Sequence, residues 1–112
     1  MAADHRSLTL VLTTEAGGDQ AESLARRLLE EGLVACVSVW PVRSLYHWQG
    51  RLETSSEVQM LLKVPDDRLE PLRRRLPDLH SYDTPEWITV PAGTAGGYAA
   101  WLLSPDAGPP GR

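Results

Sequence analysis

The chain has 112 residues, of which 42% are hydrophobic and 23% charged, and its formal net charge is -4. This length predicts one domain, and the acidic balance argues against a nucleic-acid binder, whose binding face would be basic. The single cysteine, Cys36, excludes an intrachain disulfide. No apolar run approaches the ~18 residues of a membrane span, and no signal peptide is recognised. We therefore expect a cytoplasmic protein without a membrane partner.

The first part of the chain predicts a strand, a helix and a second strand. Residues 8–13, LTLVLT, predict a buried strand after a flexible leader, residues 1–7. Asp19 followed by Glu22 predicts a capping box at the start of the helix. Gly32 stands where a left-handed residue would end that helix. The apolar face expected from the i, i+3, i+4 spacing consists of Ala21, Leu24, Ala25, Leu28 and Leu29.

Residues 32–64 predict a long β-hairpin. Its first strand is expected from Leu33 to Trp40 and, after Pro41, onward to Trp48; because proline cannot donate to a β-ladder, the strand should bend, bulge or lie at an edge there. The chain turns at Gln49-Gly50, and the returning strand is expected from residue 52 to residue 64.

The outer part of this hairpin is longer than one small domain can cover. Tyr46 and Trp48 alternate with other side chains on one of its faces. Since Tyr and Trp are enriched among the residues that dominate protein interfaces, we expect this pair to contact another copy of the chain. Glu53 and Glu57, on the returning strand, are expected on a solvated face.

A second helix follows the hairpin. Asp67 with Glu70 predicts another capping box, and Pro77 is expected to stop the helix. Residues 79–86, LHSYDTPE, predict a loop. The expected apolar face of the helix consists of Leu69, Leu72 and Leu76.

The last elements are a strand and a short helix. Residues 87–90, WITV, predict a fourth strand that Pro91 closes, and Thr94 is expected to cap the helix. Residues 104–112 predict a disordered tail because they are rich in proline and glycine. The expected face of the last helix consists of Tyr98, Trp101 and Leu102.

This order predicts an α+β fold. A β-α-β-β-α-β chain with a terminal helix is the ferredoxin-like sandwich, here with a long β-hairpin and a short C-terminal helix in a single domain over residues 8–103. Two helices cover one face of a four-stranded antiparallel sheet and leave the other bare. An identical subunit is the simplest cover for that face.

Two residues are candidate metal ligands. Cys36 is a soft ligand suited to Cu(I), although a cysteine in an apolar strand is often a small buried hydrophobe. His80 lies in a loop, where functional residues concentrate, and it serves equally well as a ligand or as a structural hydrogen-bonding residue. No local metal motif is present, so a site would have to be assembled in three dimensions, between subunits.

Three further residues are candidates for a polar cleft at a subunit boundary: Lys63, Tyr82 and Glu86. The alternative for Lys63 is a side chain that extends to solvent from the end of an apolar strand. No nucleophile stands beside a base and an orienting acid, so we predict no enzyme and no catalytic residue.

Several ordered segments resemble the CutA family of divalent-cation tolerance proteins. They are EEGLVACVSVWPVRSLYHWQG, VQMLLKV, LHSYDTPEWITVP and GYAAWL. Together they cover nearly all of residues 8–103. The family residues matched here include Cys36, Tyr46 with Trp48, Lys63, His80 with Tyr82 and Glu86, and Trp101. Ser38 and Ser81 depart from the Asn and Pro usual in the family.

The resemblance implies a homotrimer similar in architecture to PII signalling proteins. It also implies tolerance of divalent metals and a response to metal ions, with weak binding of copper or a similar cation as the expected cofactor. An alternative is a PII-like signalling or scaffold trimer that binds a small anionic metabolite between subunits. In that case Lys63 matters more than Cys36.

Overall fold

The computed structural model describes residues 5–104. The elements are β1 (Arg6–Glu15), α1 (Gly18–Glu30), β2 (Cys36–Trp48), β3 (Arg51–Pro65), a 3-10 turn (Asp66–Arg68), α2 (Leu69–Leu79), β4 (Ile88–Thr94) and α3 (Gly96–Leu102). This order confirms the predicted fold class. None of these helices is long and apolar enough to span a membrane. Most of the predicted leader and tail, residues 1–4 and 105–112, lies outside the described residues, whereas Arg6 and Ser7 already belong to β1.

The four strands form one antiparallel sheet in the order β2-β3-β1-β4. This is the ferredoxin-like order, with β3 and β1 in the centre and β2 and β4 at the edges. Pro41 lies in an edge strand, as expected, and is paired with Val58. The β2–β3 pairing extends from Cys36 opposite Lys63 to Trp48 opposite Arg51.

The main core lies on one face of the sheet, which we call the helix face. Side chains alternate along each strand, and Val11, Met60, Leu62 and Val64 point toward α1 and α2. They are fully buried with Leu28, Leu72 and Leu76 of the two helices. The predicted apolar stripe of α1 is confirmed except at its edge, where Leu29 remains exposed.

The opposite face of the sheet, the open face, is covered only in part. α3 packs there through Leu102 and Trp101 against Leu8, Ala35 and Cys36. Beyond α3 the large side chains of Trp40, Ile88 and Val90 remain exposed. For the described part of the chain, the sequence-based expectation of a bare sheet face is thus confirmed outside the area of α3.

The outer half of the β2–β3 hairpin extends past both layers of helices. The molecule measures 52 × 29 × 27 Å, and Leu45 and Leu52 are exposed on the hairpin's helix-face side. Tyr46 and Trp48 are exposed on its open-face side. The hairpin therefore overshoots the domain, as its length predicts.

The end of α1 agrees with the prediction made from the sequence, and its start does not. Gly32 has φ +70°, and the Gly32 and Leu33 N–H groups donate to the carbonyls of Leu29 and Leu28, both at 3.0 Å. These bonds form a Schellman motif. The predicted capping box is wrong, because the helix starts earlier: Gly17 is the N-cap and Asp19 lies within the first turn without capping it.

The second predicted capping box is also wrong. Asp67 belongs to the 3-10 turn, and α2 begins after Arg68 with no side-chain cap. The neighbouring Asp66 makes the side-chain contacts instead, because it accepts hydrogen bonds from Ser7 (2.7 Å) and Thr9 (2.8 Å) of β1. A tertiary contact thus replaces the local cap.

Three other boundary predictions are corrected. Pro77 does not stop α2, which continues to Leu79, because a proline in the last turn removes only its own N–H bond. Pro91 does not close β4; it pairs with Thr9 from an edge strand, where a missing N–H is tolerated. Thr94 belongs to β4, and α3 begins after Ala95 with no side-chain cap.

The start of β2 is the last difference. The strand begins at Cys36 and not at Leu33. Residues 33–35 instead form a buried connection from α1 to the strand. The Ala35 N–H still donates to the Lys63 carbonyl at 2.9 Å, which guides the chain into the sheet.

Candidate functional site

The loop between α2 and β4 carries the chain from the helix face to the open face of the sheet. It leaves α2 at His80, whose backbone is extended, and reaches β4 at Ile88. His80 lies on the helix face, where it contacts Thr13, whereas Tyr82 and Glu86 contact open-face residues of β3. The loop therefore wraps around the end of β1 and forms one wall of a cleft.

That cleft has a volume of about 770 Å³. Its other wall is the open-face side of the hairpin, since Tyr46 stands opposite Glu53 and Ser44 opposite Ser55 in the register. A volume of this size is within the range of small-ligand sites. The cleft is lined by Thr14, Tyr46, Trp48, Glu53, Ser55, Glu57, Ser81, Tyr82, Asp83, Thr84 and Glu86.

The cleft combines carboxylates with aromatic rings. Among the described residues that line it, four are acidic, three are aromatic, and none is lysine or arginine. The surface is therefore suited to a cation and unsuited to an anion.

Two of the carboxylates are fixed by hydrogen bonds. The Tyr82 hydroxyl donates to Glu57 Oε2 at 2.7 Å. Gln59 Nε2 donates to Glu86 Oε1 at 2.8 Å and to the Thr13 carbonyl at 2.9 Å. Each carboxylate is thus oriented by a neighbour, which is how proteins hold carboxylates that bind cations.

The Tyr82 hydroxyl remains a donor at all ordinary pH values. Burial, followed by the hydrogen bond to Glu57 and the nearby negative charges of Glu57 and Glu15, raises the pKa of Tyr82 well above its usual range. The bond to Glu57 therefore persists while the carboxylate is ionised.

His80 is buried below the cleft, and both of its ring nitrogens are engaged. Nδ1 accepts the Tyr82 N–H at 3.0 Å, and Nε2 lies 3.2 Å from Thr13 Oγ1. Glu15 Oε2 is 3.6 Å from Nδ1 and accepts the Ser81 N–H at 3.1 Å. A metal ion would have to displace one of these contacts, so the ligand role of His80 stays a prediction.

Cys36 lies far from His80. It is half-buried on the open face beside Trp101, opposite Lys63. Lys63 in turn pairs with Leu10, three residues from Thr13 along β1, which corresponds to about 10 Å, and Thr13 contacts His80 on the other face. Within one chain the two predicted ligands do not meet.

Lys63 is also separate from the cleft. Its Nζ donates to the Tyr98 hydroxyl at 2.8 Å and lies 5.3 Å from the centre of the Tyr98 ring. Of the three residues predicted to line one site, the structure brings together Tyr82 and Glu86 and leaves Lys63 with α3. Tyr46 and Trp48, predicted as interface residues, border the same cleft; their interface role stays a prediction.

Glu57 and Gln59 were not among the site residues predicted from the sequence. Glu57 is half-buried and bonded to Tyr82, whereas we expected it on a solvated face. The available signal was the hairpin register: a turn at Gln49-Gly50 places Glu53 opposite Tyr46 and Glu57 on the same face. Among residues 5–104, no three His, Cys, Asp or Glu side chains are close enough to hold a metal ion.

Comparison with known proteins agrees with the resemblance. Residues 9–104 match the family described as CutA1 divalent ion tolerance protein. The divalent-cation tolerance protein CutA of Pectobacterium atrosepticum is 43% identical over 95 residues, which cover 83% of this chain and 86% of that protein.

Two solved structures extend the comparison to the fold. CutA from Synechococcus elongatus PCC7942 has a TM-score of 0.84 at 36% identity and covers 88% of this chain and 91% of its own. A protein described as PII-like CutA, from Nostoc sp. PCC 7120, has a TM-score of 0.69 at 36% identity. The match covers 73% of this chain and 78% of that protein. The chain belongs to the CutA1 divalent ion tolerance family.

Proposed function

We propose that this member of the CutA1 family is a homotrimer that binds copper or similar divalent cations, weakly, as part of the response to metal ions. The proposal places the protein in the cytoplasm, where the Cys36 thiol stays reduced. It assigns no catalytic reaction.

The observation that carries the proposal is the pair of oriented carboxylates in the cleft. Tyr82 holds one oxygen of Glu57, and Gln59 holds one oxygen of Glu86. An ion entering the cleft would meet oxygen ligands whose orientation is already set, so binding requires little reorganisation. Within residues 5–104, no lysine or arginine lines the cleft to compete with the ion.

A second copy of the chain is needed to complete such a site. Two carboxylates supply fewer ligands than a divalent ion normally takes. Trp48 and Tyr46 border the cleft and remain 60% and 40% exposed. A neighbouring subunit packed on these rings would close the cleft and could contribute the remaining ligands.

Cys36 provides a second position for a softer ion. Its sulfur would suit Cu(I), and it lies half-buried on the open face, the face that a neighbouring subunit would cover. Its separation from the cleft makes the two positions testable one at a time.

The alternative of an anionic metabolite is less well supported by the charges. The cleft is acidic, and Lys63 is placed with Tyr98 at a different part of the open face. That alternative remains a prediction, and it requires that Lys63→Ala abolish the binding of a phosphate-bearing metabolite.

Native mass spectrometry with stoichiometric Cu²⁺ tests the proposal. We expect a trimer that takes up a discrete number of ions. Uptake should weaken by at least about tenfold in Glu57→Gln with Glu86→Gln, because even outer-shell changes have effects of that size. Glu22→Gln, on the exposed face of α1, is the matched control.

Cys36→Ser distinguishes the two positions. Loss of Cu(I) uptake in this variant, with Cu²⁺ uptake retained, would assign the soft ion to the thiol and the divalent ion to the cleft. A wild-type monomer at micromolar concentration, or equal uptake in all variants, would overturn the proposal.

A further inference from the structure

We infer that His80 is a positioning residue and not a ligand: its buried neutral imidazole fixes the loop so that Tyr82 can hold the Glu57 carboxylate in the cleft. This inference rests on the proposed cation site and assigns to it a residue that acts through others. It follows from the hydrogen-bond pattern of the ring and from the path of the loop.

The hydrogen bonds define the protonation state of the imidazole. A backbone N–H can only donate, so the Nδ1 that accepts it from Tyr82 carries no proton. Nε2 therefore carries the proton and donates to Thr13 Oγ1. Both nitrogens are used, and the side chain is 0% exposed, so no lone pair of the ring is available to a ligand.

The His80 ring lies at the turn where the loop passes from the helix face to the open face of the sheet. Two bonds hold this turn: Nδ1 of His80 accepts the Tyr82 N–H, and Glu15 Oε2 accepts the Ser81 N–H. The His80 and Tyr82 rings also contact each other, with centroids 5.2 Å apart. Tyr82 is therefore fixed at its backbone by the buried ring and at its hydroxyl by Glu57.

This chain of contacts connects the helix face with the cleft. Thr13 orients His80, His80 orients the Tyr82 backbone, and the Tyr82 hydroxyl orients Glu57. Loss of the first two bonds would leave the loop attached through the Ser81 N–H, Glu86 and the Tyr82 hydroxyl, with the Tyr82 backbone released. Because Glu57 would then be held by a side chain whose backbone is no longer fixed, a cation in the cleft should bind less well.

Two substitutions at His80 separate its two nitrogens. In His80→Asn the side-chain oxygen can accept the N–H two residues on, as asparagine commonly does, so the contact to position 82 is kept and the one to Thr13 is lost. In His80→Gln the longer side chain can reach Thr13 but is poorly placed for the N–H of Tyr82. His80→Ala removes both contacts.

Amide hydrogen exchange of the metal-free protein, followed by NMR, is the first measurement. The amide of Tyr82 should exchange slowly in the wild type and in His80→Asn, and at least about tenfold faster in His80→Gln and His80→Ala. The Ser81 amide, held by Glu15, is the internal control. The ¹⁵N shifts of His80 should show an unprotonated Nδ1.

Titration with Cu²⁺ gives the functional measurement. Affinity should fall by about 10–100-fold in His80→Ala and His80→Gln, the range for lost outer-shell partners, and should stay within about threefold of the wild type in His80→Asn. If the alanine variant does not fold, Tyr82→Phe tests the same connection from the exposed side: it should weaken Cu²⁺ binding while the amide at position 82 stays protected.

The outcomes separate this inference from the proposed function. Rapid exchange at Tyr82 in His80→Asn, equal to that in His80→Ala, would overturn the positioning role. So would unchanged Cu²⁺ affinity in all His80 variants. If the wild type binds no Cu²⁺, the proposed function fails, and the exchange of the metal-free proteins still decides whether His80 positions the loop.

Discussion

Leu52 and Leu62 are the same residue type on the same face of the same strand, yet their environments are opposite. Leu62 is fully buried under α1 and α2, whereas Leu52 is 70% exposed near the hairpin turn. The nine residues between them carry β3 from the covered to the uncovered part of the sheet. One strand thus has two environments: its inner half forms part of the protomer's core, and its outer half is exposed.

The largest expected effect is at the inner half. Leu62→Ala should lower the free energy of unfolding by about 3 kcal/mol, because it removes buried methyl groups and leaves a cavity. Urea denaturation at a fixed protomer concentration measures the change.

Leu52→Ala is the matched control for that experiment. The protomer itself should lose no more than about 0.5 kcal/mol, as expected for an exposed position. A loss in Leu52→Ala equal to that in Leu62→Ala, without a change in assembly, would contradict the division of β3 into two halves.

The second effect concerns assembly. Changing Tyr46 and Trp48 to Ala together should weaken subunit association by about 2 kcal/mol or more, the size typical of interface hot spots. Sedimentation velocity over a range of concentrations measures the dissociation. A trimer as tight as the wild type would remove these two rings from the interface.

The third prediction concerns the contact between Asp66, in the 3-10 turn, and β1. Asp66→Ala should cost about 1–2 kcal/mol, because Asp66 accepts two hydrogen bonds and one of its donors, Thr9, is buried. Asp67→Ala, one residue on in the same exposed turn, should change the stability by less than about 0.5 kcal/mol. Similar losses in the two variants would show that the bridge to β1 does not stabilise the fold.

The sequence predicts the inner half of the molecule better than the outer half. The helix face could be predicted because apolar side chains repeat at the spacing of helices and strands, and Leu24, Leu28, Leu72 and Leu76 are buried as that spacing requires. The start of α2 could not be predicted in this way, because Asp66 forms tertiary contacts with β1 that no local pattern shows.

The cleft was predicted only in part, for a physical reason. Tyr82 and Glu86 were recognised, but the polar alternation around Glu57 has the same sequence signature as a solvated strand. What makes Glu57 part of a site is the path of the loop around the end of β1, which brings Tyr82 within 2.7 Å. The separation of Cys36 from His80 likewise depends on register and on which face each side chain occupies.

The smallest expected effect is a pH dependence of the stability. It arises where the end of α1 meets α2, in the part of the molecule that the helices cover. Hydrogen bonds from Arg75 first, and then from Arg27, lower the pKa of Glu31 to about 2. A carboxyl whose pKa is lowered by folding stabilises the native state above its unfolded pKa, about 4.3, and loses that contribution as pH falls toward 2.

Glu31→Gln should therefore be less stable than the wild type at pH 6, and the difference should shrink between pH 5 and pH 2. Urea midpoints at several pH values measure it, and Glu30→Gln, at the neighbouring exposed position, is the control. Because the Glu31 side chain is partly exposed, added salt should reduce the difference as well. A difference that stays constant as the pH falls would mean that Arg75 and Arg27 do not stabilise the ionised Glu31, and that the two helices are held together by their apolar faces alone.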